Sequence, residues 1–152
     1  MLKRLLVAVA VLALLAPAVA RAGLTRQESA LLDQMNRVRA QHGLRPLHYD
    51  ARLERAARSH THRMLAQDVF THGAFGSRLA SFGVTASVSG ENLAWGLGSW
   101  ATARGVVAAW LASPEHRANL LRPSFSRVGV GDLAGPFQGY RGAHVVTADF
   151  VG

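Results

Sequence analysis

The chain has 152 residues, a formal net charge of +8 at pH 7 and no cysteine. This length is typical of a single domain, and the lack of cysteine excludes disulfides, thiolate metal sites, thiol nucleophiles and thiol redox chemistry. The arginines are scattered rather than clustered, which argues against nucleic-acid binding and favours a solvated basic surface, with attraction to anionic lipid or cell-wall polymer left open.

The first residues have the pattern of a secretory signal peptide. Lys3 and Arg4 precede an almost unbroken apolar run over 5–16, and small residues suited to cleavage follow around Ala20 and Ala22. The apolar run is short for a membrane span. An uncleaved membrane anchor is the alternative, and no cysteine near the cleavage site is available for a lipoprotein anchor.

We therefore predict a signal peptide over 1–22 and a folded domain over 23–152. Cleavage after residue 22 removes three of the seventeen basic residues and none of the nine acidic ones, so the domain carries a net charge of +5. This organisation predicts a secreted or periplasmic protein without a stable membrane span after cleavage.

The first part of the domain predicts two amphipathic helices. Thr25 and Glu28 form a capping box for a helix over 24–41. Asp50 is placed to cap a second helix over 51–67. Apolar residues recur at helical spacing in both segments, which indicates that each helix packs one face against a core.

Four polar side chains on these helices receive structural interpretations. Asn36 and Arg39 are assigned to a polar face or to hydrogen bonds between helix and loop. His60 and His62 suggest a metal site, but residues two apart on a helix point in different directions. We interpret His60 as packed or hydrogen-bonded and His62 as exposed to solvent.

Two further segments carry residues suited to chemistry. In the segment 68–73, DVFTHG, Phe70 is predicted to be in the core, and His72 lies in a loop, where functional residues are frequent. In GENLAWG, 90–96, Glu91 lies between glycine and apolar residues. We interpret this second segment as a loop in which Glu91 is either a buried hydrogen-bond acceptor or a functional acid.

The rest of the chain places one more histidine on a helix before a strand. Ser113 is predicted to cap this helix with its side chain, Pro114 suits its first position, Glu115 faces the helix dipole and His116 takes the third position. Two late strands are close enough to pair as a hairpin, so we predict an α+β fold in which helices pack an antiparallel sheet. The elements are helices over 77–82 and 101–112, a helix from 114 that stops at 122–123, strands over 128–132 and 143–151, and a Gly/Pro turn region over 134–140.

In chain order, the sequence contains the five segments NRVRAQHGLRPL, FTHG, GENLAWG, WLASPEHRANLL and FSRVGVG. Together they resemble the CAP superfamily of cysteine-rich secretory, antigen 5 and pathogenesis-related proteins, also called SCP-like, in its cysteine-free bacterial branch. The resemblance covers about 27–151 and implies a three-layer α-β-α sandwich with a small antiparallel sheet. It also implies a cleft lined by two histidines and two acidic residues.

The matching motifs assign the cleft positions of the family to residues of this chain. The two histidines are His72 and His116, and the acid of the GEN motif is Glu91. In animal and plant members the second acid lies three residues after the helix tryptophan, where this chain has Ser113, with Glu115 close in sequence. These five residues are the predicted cleft.

Two histidines and one carboxylate are a partial ligand set for Zn²⁺ or another divalent cation. The resemblance therefore implies that His72, Glu91 and His116 could hold a metal. The alternative is a hydrogen-bonded cluster that ties three loops together without metal.

We predict a binding or interaction module whose partner is a lipid, another small apolar ligand or a component of the cell envelope, because family members bind sterols or other lipids. Trp95, Trp100 and Phe75 are candidates for an apolar patch near the cleft, with packing in the core as the alternative. A hydrolase, in which a metal or Glu91 activates water, and a structural envelope protein without chemistry are the other two hypotheses.

Overall fold

The computed structural model describes residues 23–152, and the predicted signal peptide over 1–22 lies outside them. No helix of the described part is long and apolar enough to cross a membrane. The described elements are α1 (Arg26–Gln41), β1 (His48–Tyr49), α2 (Ala51–Gln67), α3 (Phe75–Ser81), β2 (Ser89–Gly96), a 3₁₀ helix (Gly98–Ala101), α4 (Ala103–Ala112), α5 (Pro114–Leu120), β3 (Arg127–Phe137) and β4 (Tyr140–Val151).

The strands form one sheet in the order β1-β3-β4-β2. β3 and β4 make the predicted antiparallel hairpin, and β2 pairs antiparallel with β4 at one edge. The short β1 pairs parallel with β3 at the other edge, so the sheet is mixed rather than purely antiparallel. The α+β prediction is confirmed.

Helices cover both faces of the sheet and complete the predicted three-layer sandwich. α1, α4 and α5 enclose the larger core with one face of β3 and β4. α2 and α3 pack on the opposite face. Because side chains alternate along a strand, Ala148 and Phe150 of β4 enter the larger core while Thr147 and Asp149 face α2 and α3.

Glycines let α2 lie directly on the sheet. A Cβ atom at Gly129 would lie 2.0 Å from the backbone carbon of Leu53, and one at Gly131 would lie 2.6 Å from the backbone nitrogen of Arg58. No side chain fits in such a gap, so the close contact of α2 with β3 depends on glycine at both positions.

The predicted interpretations of the first helices are confirmed. Thr25 and Glu28 form both bonds of the capping box, and Asp50 accepts the backbone N–H groups of Arg52 and Leu53. Asn36 exchanges two hydrogen bonds with the backbone of Leu47.

Arg39 ties α1 to three other parts of the chain. Its fully buried guanidinium donates to the backbone oxygens of Arg45, Leu120, Arg122 and Phe125. These charge-assisted bonds satisfy carbonyl groups in the loop after α1, at the end of α5 and in the segment that follows α5. The residue therefore connects a helix to loops, as the sequence suggested.

The GENLAWG segment is a strand, and its interpretation as a loop was wrong. Three successive residues of β2, Glu91 to Leu93, are buried, because helices cover both faces of the sheet. A strand buried on both faces lacks the alternation of polar and apolar residues that would identify it.

The hairpin is also longer than predicted. β3 continues through a bulge at Gly135–Phe137, where Pro136 is tolerated because the ladder is interrupted. The turn is only Gln138-Gly139, both with positive φ, as a two-residue hairpin turn requires. The Gly/Pro content of 134–140 therefore marks a bulge rather than a loop.

Phe70 is exposed, and its assignment to the core was wrong. Its side chain is 43% exposed and contacts the buried Phe137 ring edge-on, with centroids 6.4 Å apart. It lies in the segment that connects α2 to α3.

Candidate functional site

An exposed histidine is held by a buried carboxylate at one edge of the sheet. Nδ1 of His72 lies 2.6 Å from Oε1 of Glu91. The His72 side chain is 58% exposed, whereas the Glu91 side chain is only 2% exposed. An ionised carboxylate only accepts hydrogen bonds, so this contact favours the tautomer with the proton on Nδ1 and leaves Nε2 of His72 directed away from Glu91.

Arg78 of α3 is the cation behind this pair. Its buried guanidinium donates to Oε2 of Glu91, and the same NH2 group lies 3.3 Å from Oδ1 of Asp149. Its NH1 group donates to the backbone oxygen of His72. Arg78 therefore positions both the carboxylate and the histidine loop.

Asp149 is the second acid at this site, on the strand next to Glu91. The two residues are direct partners in the register of β2 and β4. Burial raises the pKa of Glu91 to about 7, although Arg78 lowers it. Burial also raises the pKa of Asp149, Arg78 opposes this, and the Glu91 charge raises it further. Two adjacent buried carboxyl groups beside one guanidinium favour retention of a proton between them.

Sequence reasoning missed both Arg78 and Asp149. Arg78 lies in a short helix that looks like surface. Asp149 is a fully buried acid in an otherwise apolar terminal strand. A charged residue inside such a run was the available signal, because a buried charge requires a partner.

His60 supports the loop that carries His72. Its Nε2 lies 2.7 Å from the backbone oxygen of Thr71 and 3.9 Å from Oε2 of Glu91. Burial and then the Arg78 charge lower the pKa of His60 to about 4. The ring is therefore neutral at pH 7 and donates to Thr71. The packed, hydrogen-bonded role predicted for His60 is confirmed, as is the exposure of His62.

His116 lies on α5. The side-chain amides of Asn92 and Asn119 connect this helix to β2. Asn92 donates to the backbone oxygen of His116 at 2.9 Å. Asn119 donates to the backbone oxygen of Glu91 and to Oδ1 of Asn92, both at 3.1 Å. Burial and then the positive charge of His72 lower the pKa of His116.

Ser113 does not cap α5 with its side chain as predicted. It occupies the N-cap position, but its Oγ lies 2.9 Å from Nδ1 of His116 instead of accepting a backbone N–H. The nearby histidine offers the hydroxyl a competing partner. Nε2 of His116 is then the ring nitrogen without a partner among residues 23–152.

Glu115 is exposed and contributes to the site only through its charge, which raises the pKa of His116 against the two lowering effects. It forms no hydrogen bond or ion pair in the described part of the chain. The second acid that packs beside Glu91 is Asp149, from a different strand.

The aromatic residues expected near the cleft divide into two groups. Phe75 packs beside Leu53 and Leu79 and lies under the Arg78 guanidinium, 5.4 Å from ring centroid to Cζ. Trp95 is half-buried on the Phe137 ring. Trp100 is exposed. The three side chains do not form one patch at the cleft.

The described residues do not supply the three-ligand metal site that the resemblance implies. No group of three or more histidine and acidic side chains over 23–152 has a geometry that could hold a metal ion. Glu91 uses one oxygen for His72 and the other for Arg78. Two imidazole nitrogens remain as candidate ligands, and binding of a divalent cation stays a prediction.

A separate open groove of about 520 Å³ lies along the outer side of α5. It is largely apolar, and none of the cleft histidines lines it. Its lining residues are Pro114, Arg117, Ala118, Leu121, Arg122 and Pro123.

Similar folds occur in solved structures of a bacterial extracellular protein and a bacterial outer surface protein. An extracellular protein containing an SCP domain from Bacillus anthracis matches with a TM-score of 0.66 and 30% identity, over 82% of this chain and 40% of that one. An outer surface protein of Borrelia burgdorferi matches with a TM-score of 0.66 and 24% identity, over 80% of this chain and 90% of that one, which supports the fold alone.

Sequence comparison finds relatives in Bacillus subtilis. The uncharacterized protein YkwD is 36% identical over 109 residues, which are 68% of this chain and 41% of YkwD. The uncharacterized membrane protein YlbC is 31% identical over 112 residues, which are 70% of this chain and 32% of YlbC. The matched part of the chain therefore spans less than half the length of these curated relatives.

The sandwich, with its histidines and buried carboxylates at the edge of the sheet, defines a cysteine-free domain of the SCP class. A sequence model of the cysteine-rich secretory protein family, CAP, matches residues 32–150. The chain belongs to this family, as the five motifs predicted.

Proposed function

We propose that this protein is a secreted or periplasmic binding module whose ligand is held by the imidazoles of His72 and His116. The observation that carries the proposal is the contact between the exposed His72 and the buried Glu91. A carboxylate that is itself held by a buried arginine orients one exposed ring, and such support behind a surface side chain is typical of binding sites.

Both rings present the same kind of atom to a ligand. Nδ1 of His72 is engaged by Glu91 and Nδ1 of His116 by Ser113. In each ring Nε2 is left to contact a ligand, as an acceptor when the ring is neutral and as a donor when it is charged. A polar group that reaches both Nε2 atoms would be held by two hydrogen bonds, which each ring accepts when neutral and donates when charged.

When protonated, the imidazoles of His72 and His116 favour an acidic or hydrogen-bond-accepting head group. Arg78 offsets part of the negative charge of the buried Glu91 and Asp149 behind them. We propose a small amphipathic molecule, such as a fatty acid or another lipid with an anionic head, as the ligand class. A component of the cell envelope with similar chemistry would fit the same atoms.

The proposed location rests on two observations. The first residues have the composition of a signal peptide. One similar structure is named as an extracellular protein and another as an outer surface protein. Both observations support secretion into the periplasm or the medium.

A hydrolase is the second candidate, favoured by the 2.9 Å contact between Ser113 and His116. A serine beside a histidine base is the core of many acyl-transfer sites. However, no carboxylate among residues 23–152 hydrogen-bonds to His116 to orient it, and Glu91 has both oxygens engaged. Labelling by a fluorophosphonate that disappears in Ser113→Ala and in His116→Ala would replace the binding proposal with a serine hydrolase.

The binding proposal is tested by titration with spin-labelled stearic acid below its micelle concentration. We expect saturable binding by the mature wild type and by His62→Ala, a control that removes an exposed histidine outside the cleft. Binding by His72→Ala should be about tenfold weaker, the equivalent of one charge-assisted hydrogen bond. Equal binding by all three proteins, or binding by none, would contradict the proposal, and the second result would favour a structural envelope protein.

A further inference from the structure

Large apolar side chains reach the surface at one end of the molecule. This end comprises the segment after α2, the turn between β3 and β4, and the 3₁₀ helix after β2. Four side chains there are the large hydrophobic residues that are exposed within residues 23–152, and we call them the aromatic end. They are Val69, 47% exposed, Phe70, 43%, Trp100, 67%, and Tyr140, 52%.

Hydrogen bonds and close packing hold these segments together. The backbone N–H of Gln138 donates to Oδ1 of Asp68 at 2.5 Å, and its side-chain amide donates to the Asp68 backbone oxygen, so the turn is fixed to the end of α2. Gly96 pairs with His144 in the sheet, and a Cβ atom at Gly96 would lie 2.9 Å from Cβ of Trp100. Trp100 therefore packs at the same end of the sheet as the turn.

Aromatic contacts support the exposed rings from below. Phe70 contacts Phe137 with a centroid distance of 6.4 Å, and Trp95 contacts Phe137 at 5.6 Å and Tyr140 at 5.8 Å. The rings of Phe70 and Tyr140 are thus fixed on a partly buried base. Ordering them on a partner requires less loss of side-chain freedom than ordering free surface side chains would.

The charged residues around this end are mainly basic. Arg104 follows Trp100 at the start of α4 and Arg141 follows Tyr140 in β4, and both are exposed. Asp68 is the acidic residue here, and it accepts a hydrogen bond from Gln138. The described residues as a whole have fourteen basic and nine acidic side chains.

We infer that the aromatic end is a docking surface for an anionic lipid bilayer. Its residues project from turns and element ends rather than lining a groove, which suits a broad partner. Trp and Tyr favour the boundary between lipid head groups and acyl chains, Val and Phe gain by leaving water, and Arg attracts acidic head groups. An exposed apolar group surrounded by basic residues matches this combination.

The inference does not depend on the proposed ligand of the cleft. Glu91 lies near the start of β2, whereas Trp95 and Gly96 end it. Docking uses neither His72 nor His116, so either function can fail alone.

The test is co-sedimentation of the mature protein with vesicles of phosphatidylcholine, with and without phosphatidylglycerol. We expect binding to the anionic vesicles, accompanied by a blue shift of tryptophan fluorescence, because Trp100 leaves water while Trp110 is already buried. Phe70→Ser/Trp100→Ser should bind at least about tenfold more weakly. Trp100→Phe should still bind but lose most of the fluorescence shift.

A matched pair of charge variants separates docking from general attraction. Arg104→Glu/Arg141→Glu should abolish vesicle binding, whereas Arg37→Glu/Arg45→Glu has the same net charge at exposed sites elsewhere and should retain most of it. Equal loss in both variants, or no vesicle binding by the wild type, overturns the inference. Dimerisation without vesicles that disappears in Phe70→Ser/Trp100→Ser would assign the surface to a second copy instead.

Discussion

Nδ1 of His72 lies 2.6 Å from Oε1 of Glu91, and the second oxygen of the same carboxylate accepts a hydrogen bond from Arg78. The exposed imidazole is thereby connected to a buried cation through one carboxylate. Asp149 shares Arg78 from the neighbouring strand. We expect the stability of this edge of the sheet and the chemistry of His72 to depend on these few atoms, and the proposed ligand binding with them.

Removing the buried cation should destabilise the fold. In Arg78→Met two buried carboxyl groups lose their partner, and we expect a loss of about 3 kcal/mol in the free energy of unfolding at pH 7. The loss should be smaller at pH 5, where protonation neutralises the carboxylates. Urea denaturation at the two pH values measures this, with the exposed Arg37→Met as control. If the free energy of unfolding at pH 7 falls no more in Arg78→Met than in the control, Arg78 does not stabilise the two buried carboxyl groups.

Replacing the carboxylate should change the tautomer of His72. In Glu91→Gln we expect a loss of about 1–3 kcal/mol of stability, from the missing charge-assisted hydrogen bond. The proton of neutral His72 should also move from Nδ1 toward Nε2, since the carboxylate no longer accepts it. Nitrogen chemical shifts of the ring report the tautomer, and Glu115→Gln, an exposed change, is the control. An unchanged tautomer would remove the basis for an oriented His72.

Titration of His60 should appear in the pH dependence of stability. The pKa of His60 is lowered from 6.5 to about 4 in the fold, so below pH 6.5 the unfolded chain binds a proton that the native state does not. The contribution of His60 to the free energy of unfolding is therefore complete above pH 6.5 and decreases as the pH falls to about 4. Glu91 acts in the opposite sense, because its pKa is raised to about 7 and its contribution decreases as the pH rises from about 4.5.

The two effects are separated by a substitution that keeps the hydrogen bond to Thr71. In His60→Gln the amide can still donate to the Thr71 oxygen, but the titration is gone. The stability difference between wild type and variant should decrease by about 2–3 kcal/mol between pH 6.5 and pH 4. A difference that stays constant over this range would show that the fold does not lower the pKa of His60.

Zn²⁺ binding, if the two imidazoles suffice, should stabilise the wild type. We expect Zn²⁺ to raise the melting temperature of the mature protein and of His62→Ala, but not of His72→Ala/His116→Ala. Two nitrogens are a weak ligand set, so we expect a high dissociation constant for Zn²⁺. The melting temperature should rise only when the concentration of free Zn²⁺ approaches that constant. Equal shifts in the wild type and the double variant would end the metal hypothesis.

Local chemistry made much of the fold predictable. Capping residues such as Thr25 and Asp50 act within one helical turn, so the starts of α1 and α2 could be inferred directly. The same holds for the hairpin pair β3 and β4, although not for its turn. The cleft histidines and Glu91 came from family motifs, and no local rule predicted that His72 and Glu91 would touch.

The order of the main elements and the family are determined by the sequence alone, because short-range patterns and motifs are written in consecutive residues. Only the tertiary structure decided which acid lies beside Glu91, since Asp149 reaches it by the pairing of two strands that are far apart in the chain. It also decided that Arg78 is buried and Phe70 exposed. Burial depends on what covers a residue, and that cover comes from elements distant in the sequence.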